Sequence, residues 1–169
     1  MLTKSKILEE MNNGNIVIEP FNLSQLNTNS YNFTLSDKLL AFTKPLDMKK
    51  ANEPDYEITL TDEGYVLEPG VLYLGSTVEY TKTNNYVACI DGRSSTARLG
   101  IQIHSTGGFG DIGFEGTWTL EISVTVPVRI YPGVEIGQIY YFKPEGEIKE
   151  YYDGRYQGQV DPTPSRFHQ

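Results

Sequence analysis

Cysteine and long apolar runs are scarce in this sequence, and each scarcity excludes a class of structure. Cys89 is the only cysteine among 169 residues, so we expect no disulfide within the chain. No apolar run approaches the roughly 18 residues that a membrane-spanning helix needs. Residues 1–14 lack the apolar stretch of a secretory signal peptide. We therefore expect a cytoplasmic protein without a membrane partner.

Positive charge is also in short supply. The sequence has 14 Lys and Arg residues against 22 Asp and Glu residues, for a formal net charge of -8. This balance argues against non-specific binding to nucleic acid. A local cluster of arginines can still hold an anionic ligand, especially when a divalent cation offsets the charge of that ligand.

The periodicity of the chain is mostly that of short strands. One short helix is expected over residues 3–12, where Ile7, Leu8 and Met11 share a face. Runs with strand character follow, separated by Gly and Pro turns. The predicted strands are 16–19, 31–35, 39–42, 56–60, 71–80, 86–90, 101–104, 117–124, 128–131 and 135–142. We expect one mainly β domain over residues 1–169, a sandwich, jelly roll or distorted barrel, with a C-terminal arm from about residue 145.

Residues 91–100, D-G-R-S-S-T-A-R-L-G, form the most informative short segment. Ser94 is predicted to cap a helical turn that runs to Arg98. Arg93 and the hydroxyl of Ser95 would stand beside the free N–H groups of that turn, and this combination suits a polyphosphate. The spacing is not that of a P-loop. The alternative is a capped turn that carries two surface arginines.

Two carboxylates stand out further along the chain. Apolar and polar residues alternate over residues 117–124, which places Glu121 on the polar face of a strand. We interpret it as a general acid or base facing a cleft, the alternative being a solvated strand glutamate. Asp111 follows a loop with three glycines, which allow close approach of a ligand to the backbone. It is either a hydrogen-bond acceptor for a sugar or base, or an ordinary turn aspartate.

Four blocks of sequence together resemble the dCTP deaminase family, part of the trimeric dUTPase-like superfamily. The blocks are D-G-R-S-S-T-A-R-L-G, H-S-T-G-G-F-G-D-I-G-F-E-G-T-W-T-L-E, Y-P-G-V-E-I-G-Q-I and Y-D-G-R-Y-Q-G-Q. The resemblance covers about residues 15–166. It implies a distorted β-barrel or jelly roll of the dUTPase-like type, and a homotrimer with active sites between its subunits.

The resemblance also implies roles for individual residues. Glu121 would be the catalytic carboxylate, assisted by Ser94 and Arg98. The implied substrate-binding residues are Arg93, Ser95, Gly107, Asp111, Thr119, Leu120, Tyr152, Arg155 and Gln159. Magnesium would arrive with the triphosphate, and no metal would be held by the protein itself. Zinc is not expected, because Cys89, His104 and His168 are the only soft ligands and a catalytic zinc needs about three.

The function expected first is hydrolysis of dCTP to dUTP and ammonia, with Glu121 as general base. A bifunctional enzyme that gives dUMP, and a dUTP diphosphatase whose catalytic aspartate matches Asp111, are the alternatives. A nucleotide sensor that binds dCTP, dUTP or dTTP without catalysis is a third. The presence of Glu121 favours deamination, because the diphosphatases as a group do not carry this glutamate.

The chain departs from the family pattern at several positions. Gly107 stands where the family usually has Ala, and Arg155 where it usually has Lys. In the early strand, Asn32, Thr34 and Ser36 stand where Asp, Arg and Gly are usual. His104 shares a face with Gln102 in the predicted strand, and we interpret it as a structural or surface residue.

Overall fold

Short antiparallel strands make up most of the chain, and one helix precedes them. The computed structural model describes residues 1–169. Its helices are α1 (Lys4–Asn12) and α2 (Ser94–Ala97), with a 3-10 turn over Leu23–Gln25. Its strands are β1 (Ile16–Glu19), β2 (Tyr31–Thr34), β3 (Lys38–Phe42), β4 (Tyr56–Thr59), β5 (Tyr65–Leu67), β6 (Leu72–Ser76), β7 (Tyr80–Thr83), β8 (Val87–Gly92), β9 (Ile101–Gln102), β10 (Glu115–Gly116), β11 (Thr119–Val124), β12 (Val128–Ile130) and β13 (Glu135–Phe142).

The strands form four small sheets with antiparallel pairing. The largest has the order β4-β3-β6-β11-β9, and two three-stranded sheets have the orders β1-β7-β10 and β2-β13-β8. Strands β12 and β5 form a separate pair. The predicted architecture, mainly β with a short N-terminal helix in a distorted barrel, is confirmed. None of the helices has the length and apolar character needed to cross a lipid bilayer.

The core follows from the period-two alternation of the strands. Along β11, Leu120 and Ile122 are fully buried, whereas Thr119, Glu121 and Ser123 between them are half-buried on the opposite face. Leu120 and Ile122 belong to a hydrophobic core of 26 buried residues. Burial of one such aliphatic side chain stabilises the fold by about 1.5–3 kcal/mol. The core therefore orients β11 so that its polar face turns outward.

The prediction of one strand over residues 71–80 is wrong. The chain leaves the ladder after β6 and enters another sheet as β7. The side chain of Thr77 explains the break, because its hydroxyl accepts the Trp118 N–H at 3.0 Å and donates to the Glu79 carbonyl at 2.8 Å. Apolar alternation continues through this segment, but one of the hydrogen bonds that divert it comes from Trp118, 41 residues along the chain.

The predicted cap of α2 is also wrong by one residue. Arg93 occupies the N-cap position and Ser94 begins the helix. Thr96 closes this end instead, since its hydroxyl donates to the Arg93 carbonyl at 3.0 Å and accepts the Arg93 N–H at 3.3 Å. The hydroxyls of Ser94 and Ser95 are consequently not used in capping and remain exposed.

The C-terminal arm docks along β10 and the start of β11. The Tyr152 N–H donates to the Ile112 carbonyl at 2.8 Å, and the Gly158 N–H donates to the Glu115 carbonyl at 2.9 Å. The Thr117 N–H donates to the Gln159 carbonyl at 3.0 Å. These bonds hold the arm alongside β10 of the β1-β7-β10 sheet and beside the residues that lead into β11, where it forms a wall of the site described next.

Candidate active site

A pocket of about 460 Å³ lies where the C-terminal arm passes β11. The predicted site residues that line it are Gly107, Asp111, Thr119, Glu121, Tyr152 and Gln159. The structure also places Phe109, Phe114, Trp118, Tyr156 and Thr163 in its walls. The pocket thus combines an apolar aromatic surface with two carboxylates, as expected of a site that binds an organic ligand and transfers protons.

Glu121 is the more enclosed of the two carboxylates. It lies on the outward face of β11, near the backbone N–H of Ser105. Burial raises the pKa of Glu121 above the usual range of glutamate, although the Ser105 N–H and the nearby His104 oppose the shift. A carboxylate with a raised pKa is better matched to proton transfer near neutral pH.

Gly107 lies directly against this carboxylate. A Cβ atom built on Gly107 would be 3.3 Å from Glu121 Oε1 and 3.4 Å from Oε2. Such a contact is tighter than ordinary van der Waals packing. Glycine at this position therefore leaves room for a small molecule beside both oxygens.

Gly107→Ala is expected to shift the pH dependence of kcat. The acid limb, where Glu121 as the predicted general base becomes protonated, should move to higher pH by up to about one unit. The added methyl group would exclude water from both carboxylate oxygens, and desolvation raises the pKa of a carboxyl group. Because a general base works in its deprotonated form, activity would then be lost at a higher pH on acidification. A pH–rate profile of both proteins measures the shift, and an unmoved acid limb would contradict it.

Asp111 follows a loop that is pinned to β8 on both sides of Phe109. The Ile90 N–H donates to the Gly108 carbonyl at 2.7 Å, and the Gly110 N–H donates to the Ala88 carbonyl at 2.8 Å. Between these bonds the Phe109 side chain is turned outward and 69% exposed. The loop thereby presents Asp111 and Phe109 at the mouth of the pocket.

Of the aromatic wall, Tyr152 was predicted from the sequence, whereas Phe114 and Trp118 were not. Phe114 packs edge-on against Trp118, with ring centroids 5.2 Å apart, and against Tyr152 of the arm, at 6.0 Å. The Trp118 Nε1–H donates to the Thr81 hydroxyl at 2.9 Å, which fixes the indole ring. The sequence does place aromatic residues on both sides of a glycine-rich turn, but this pattern is equally typical of residues in the hydrophobic core.

Gln159 brings an unpaired polar atom to the pocket. Its Nε2 donates to the Thr117 carbonyl at 2.9 Å, whereas its Oε1 is buried and has no hydrogen-bond partner. A buried acceptor without a partner is costly. Gln159 is therefore ready to accept a hydrogen bond from a ligand hydroxyl or amine.

The residues predicted to bind phosphate, Arg93 and Ser95, and those predicted to assist Glu121 in catalysis, Ser94 and Arg98, do not line this pocket. Arg93, Ser94, Ser95 and Arg98 lie on and around α2, and all but Arg93 are exposed. The end of α2 reaches the far end of β11, where the Thr125 N–H donates to the Gly100 carbonyl at 3.0 Å. The pocket itself contains no Lys or Arg. Within one copy of the chain, Glu121 and the loop predicted to bind phosphate and assist it therefore occupy separate places.

Two further predicted residues also point elsewhere. Arg155 is exposed and donates to the carbonyl of Gln169, so its guanidinium does not face the pocket. The side chain of Leu120 is 0% exposed in the core, which leaves only its backbone to face a ligand.

His104 lies between the pocket and the loop that carries Arg93. Its Nε2 is 3.5 Å from Asp91 Oδ1, and its Nδ1 is buried without a hydrogen-bond partner. No group of three or more His, Cys, Asp or Glu side chains is placed to hold a metal ion.

The fold is shared with a solved structure. A crystal structure of 2′-deoxycytidine 5′-triphosphate deaminase from Agrobacterium tumefaciens superimposes with a TM-score of 0.65 and 23% identity, over 83% of this chain. The match covers 47% of that longer chain. The likeness places this protein among the dUTPase-like β folds.

The family follows from two further comparisons. The family described as dCTP deaminase-like matches residues 1–144. Proteins named "dCTP deaminase, dUMP-forming" from Hathewaya histolytica and Leptospira biflexa are each 51% identical over 166 residues, 98% of this chain, and the match covers 96% and 94% of their own lengths. One of the same name from Clostridium acetobutylicum is 49% identical over 98% of this chain and 95% of its own length. The chain belongs to the dCTP deaminase-like family, and the resemblance found in its four motifs is confirmed.

Proposed function

We propose that the protein converts dCTP to dUMP by two hydrolytic steps at one site. The observation that carries this proposal is that Glu121 and Asp111, a deaminase-type glutamate and a diphosphatase-type aspartate, line the same pocket. From the sequence we expected dUTP as the first choice of product and dUMP as the alternative. The names of the relatives at 49% and 51% identity support the alternative.

The first step replaces the amino group of cytosine with oxygen. A water molecule attacks C4 of the ring while Glu121 accepts one of its protons and delivers it to the ring nitrogen N3, where it stays. Glu121 then takes the proton of the new C4 hydroxyl and delivers it to the amino group, so that the C4–N bond breaks, ammonia leaves and the C4 carbonyl forms. The raised pKa of Glu121 supports both the acceptance and the return of a proton. The unpaired Gln159 Oε1 is a suitable acceptor for a deoxyribose hydroxyl.

The second step removes the two outer phosphates. A second water molecule attacks the α-phosphorus, diphosphate leaves, and Asp111 accepts the proton of that water. The overall balance is dCTP and two water molecules to dUMP, ammonia and diphosphate. We propose that magnesium arrives bound to the phosphates and offsets their charge, and that zinc takes no part.

A product assay tests the proposal. The protein is incubated with dCTP and magnesium, and ammonia, diphosphate, dUTP and dUMP are measured separately. Equal amounts of ammonia, diphosphate and dUMP are expected. Accumulation of dUTP without diphosphate would identify a single-step deaminase. Diphosphate from added dUTP without ammonia from dCTP would identify a diphosphatase, and binding without any product a sensor.

We also propose that the working form is a homotrimer with its sites between subunits. The support is the absence of Lys and Arg from a pocket that must receive a triphosphate, while Arg93 and Arg98 lie on another part of the same chain. A neighbouring copy could bring these arginines to the pocket. We propose free nucleotides in the cytoplasm as partners, and the net charge of -8 argues against nucleic acid.

Mixing Arg93→Ala, which should bind dCTP weakly, with Glu121→Gln, which should release ammonia slowly, is expected to restore activity at a dCTP concentration below the KM of Arg93→Ala. If Arg93 and Glu121 of one site come from different subunits, a random mixture of Arg93→Ala and Glu121→Gln subunits contains about one quarter intact sites. Ammonia release after subunit exchange, compared with that of each variant alone, measures the recovery. An exchanged trimer without recovery would show that both residues act within one chain.

Arg93 and Arg98 are expected to have different effects on kinetics. Arg93 stands at the N-cap of α2 and Arg98 at its other end. Arg93→Ala should weaken nucleotide binding by roughly 1.5–3 kcal/mol, the contribution of a charged hydrogen bond. Arg98→Ala should mainly lower kcat, because it removes charge stabilisation at the reacting ring. Steady-state kinetics on both variants decides this, and a change in KM alone for both would contradict the division.

A further inference from the structure

We infer that Glu135 is a positioning residue that orients the guanidinium of Arg93, with Asn32 as its partner. The inference rests on the proposed function, because that proposal assigns Arg93 to the nucleotide phosphates. It concerns the start of β13 and the middle of β2, neither of which lines the pocket.

The contacts define a small polar triad. Arg93 Nη1 donates to the Glu135 carbonyl at 2.8 Å and lies 2.9 Å from Glu135 Oε2. Asn32 Nδ2 donates to the same Oε2 at 2.8 Å. The side chains of Arg93 and Glu135 are 28% and 35% exposed, so solvent screens this pair only in part. Asn32 is 5% exposed and anchors the triad in the protein.

The triad uses one nitrogen of the guanidinium and leaves the rest unbonded. Within the chain, Arg93 Nε and Nη2 make no hydrogen bond. These two nitrogens form one edge of the guanidinium plane, and such an edge binds two phosphate oxygens side by side. Glu135 therefore holds the side chain by Nη1 and leaves the opposite edge for the ligand.

The backbone around Arg93 is fixed by other residues. Gln138 Nε2 donates to the Gly92 carbonyl at 2.9 Å, and the Thr96 hydroxyl shares its one proton between the Arg93 carbonyl at 3.0 Å and the Ile136 carbonyl at 3.2 Å. These bonds dock the loop and α2 on β13 without the carboxylate of Glu135. Loss of that carboxylate should consequently leave the guanidinium held only through the Glu135 backbone carbonyl, and so less firmly oriented, while the loop stays in place.

Asn32 is matched to Glu135 by its hydrogen-bonding pattern. Asn27 Nδ2 donates to Asn32 Oδ1 at 2.8 Å, which turns the Asn32 amide so that its own Nδ2 faces Glu135. An aspartate at position 32, the usual residue in the family, would set a second carboxylate against Glu135. The amide at position 32 and the carboxylate at position 135 thus act as a pair in this chain.

The first test compares Glu135→Ala with Glu135→Gln. Glu135→Ala is expected to raise KM and the dissociation constant for magnesium dCTP roughly 3–10-fold, with kcat within about twofold. Glu135→Gln should remain within about twofold of the parent, because its amide oxygen still accepts from Nη1. Melting temperatures of both variants check that the fold is retained. An unchanged KM and dissociation constant for Glu135→Ala would overturn the inference.

A double-mutant cycle separates positioning from a general structural role. In an Arg93→Ala background, Glu135→Ala should change dCTP binding by less than about twofold, because the group it orients is gone. Equal effects in both backgrounds would overturn the inference. Coupled binding effects in a protein that releases no ammonia or diphosphate would uphold the positioning role and reject the proposed function.

The second test exchanges the amide and the carboxylate. Asn32→Asp is expected to weaken dCTP binding at least as much as Glu135→Ala, because two carboxylates then repel each other beside Arg93. Adding Glu135→Gln should restore binding to within about threefold of the parent, since one carboxylate and one amide are present again. A double variant that binds no better than Asn32→Asp would contradict the pairing.

Discussion

Glu121→Gln is expected to lower ammonia release from dCTP by roughly 10²–10⁴-fold, the contribution of a positioned general base. Glutamine keeps the shape of the side chain, but its amide does not take a proton from water. Affinity for dCTP should therefore stay within about tenfold. Coupled measurement of ammonia release and of dCTP binding on the same preparation provides both numbers.

Two controls sharpen this experiment. Glu57→Gln makes the same chemical change on the exposed surface of β4 and should leave turnover unaltered. Supplying dUTP to Glu121→Gln bypasses the first step, so diphosphate should still be released through Asp111. Near-normal ammonia release by Glu121→Gln would remove Glu121 from the mechanism.

Removal of residues 152–169 is expected to lower kcat for dCTP by roughly 10²-fold, because a wall that positions the substrate is lost. The deletion removes Tyr152 and Gln159 from the pocket. It should spare the fold, since the last member of the hydrophobic core is Tyr141. Turnover and melting temperature of the truncated and full chains test both statements.

A shorter truncation is the matched control. Deletion of residues 167–169 leaves every residue that lines the pocket in place and should retain most of the activity. If the chain that lacks residues 152–169 turns over dCTP normally, the arm has no part in catalysis. If it unfolds instead, the bonds between the arm and β10 are more important to stability than the core composition suggests.

Much of the site could be predicted because the relevant signals are local in the sequence. Alternation over residues 117–124 predicts the outward face of Glu121, and three glycines before Asp111 predict a loop that a ligand can approach. The break at Thr77 could not be predicted, because the alternating pattern runs through it and the diverting hydrogen bond comes from Trp118. The positions of Phe114 and Trp118 in the pocket wall could not be predicted, because aromatic residues in a strand-rich sequence are equally typical of the hydrophobic core.

The sequence by itself determined the strand-rich character of the chain, the polar face of β11 and the family, since these depend on residue type and short spacing. Only the tertiary structure decided how enclosed Glu121 is, because its burial depends on Gly107 and on the approach of a distant arm. It also decided that Arg93 meets Glu135, a residue 42 positions away. Such contacts depend on strand register and sheet order, which side-chain periodicity along one segment does not specify.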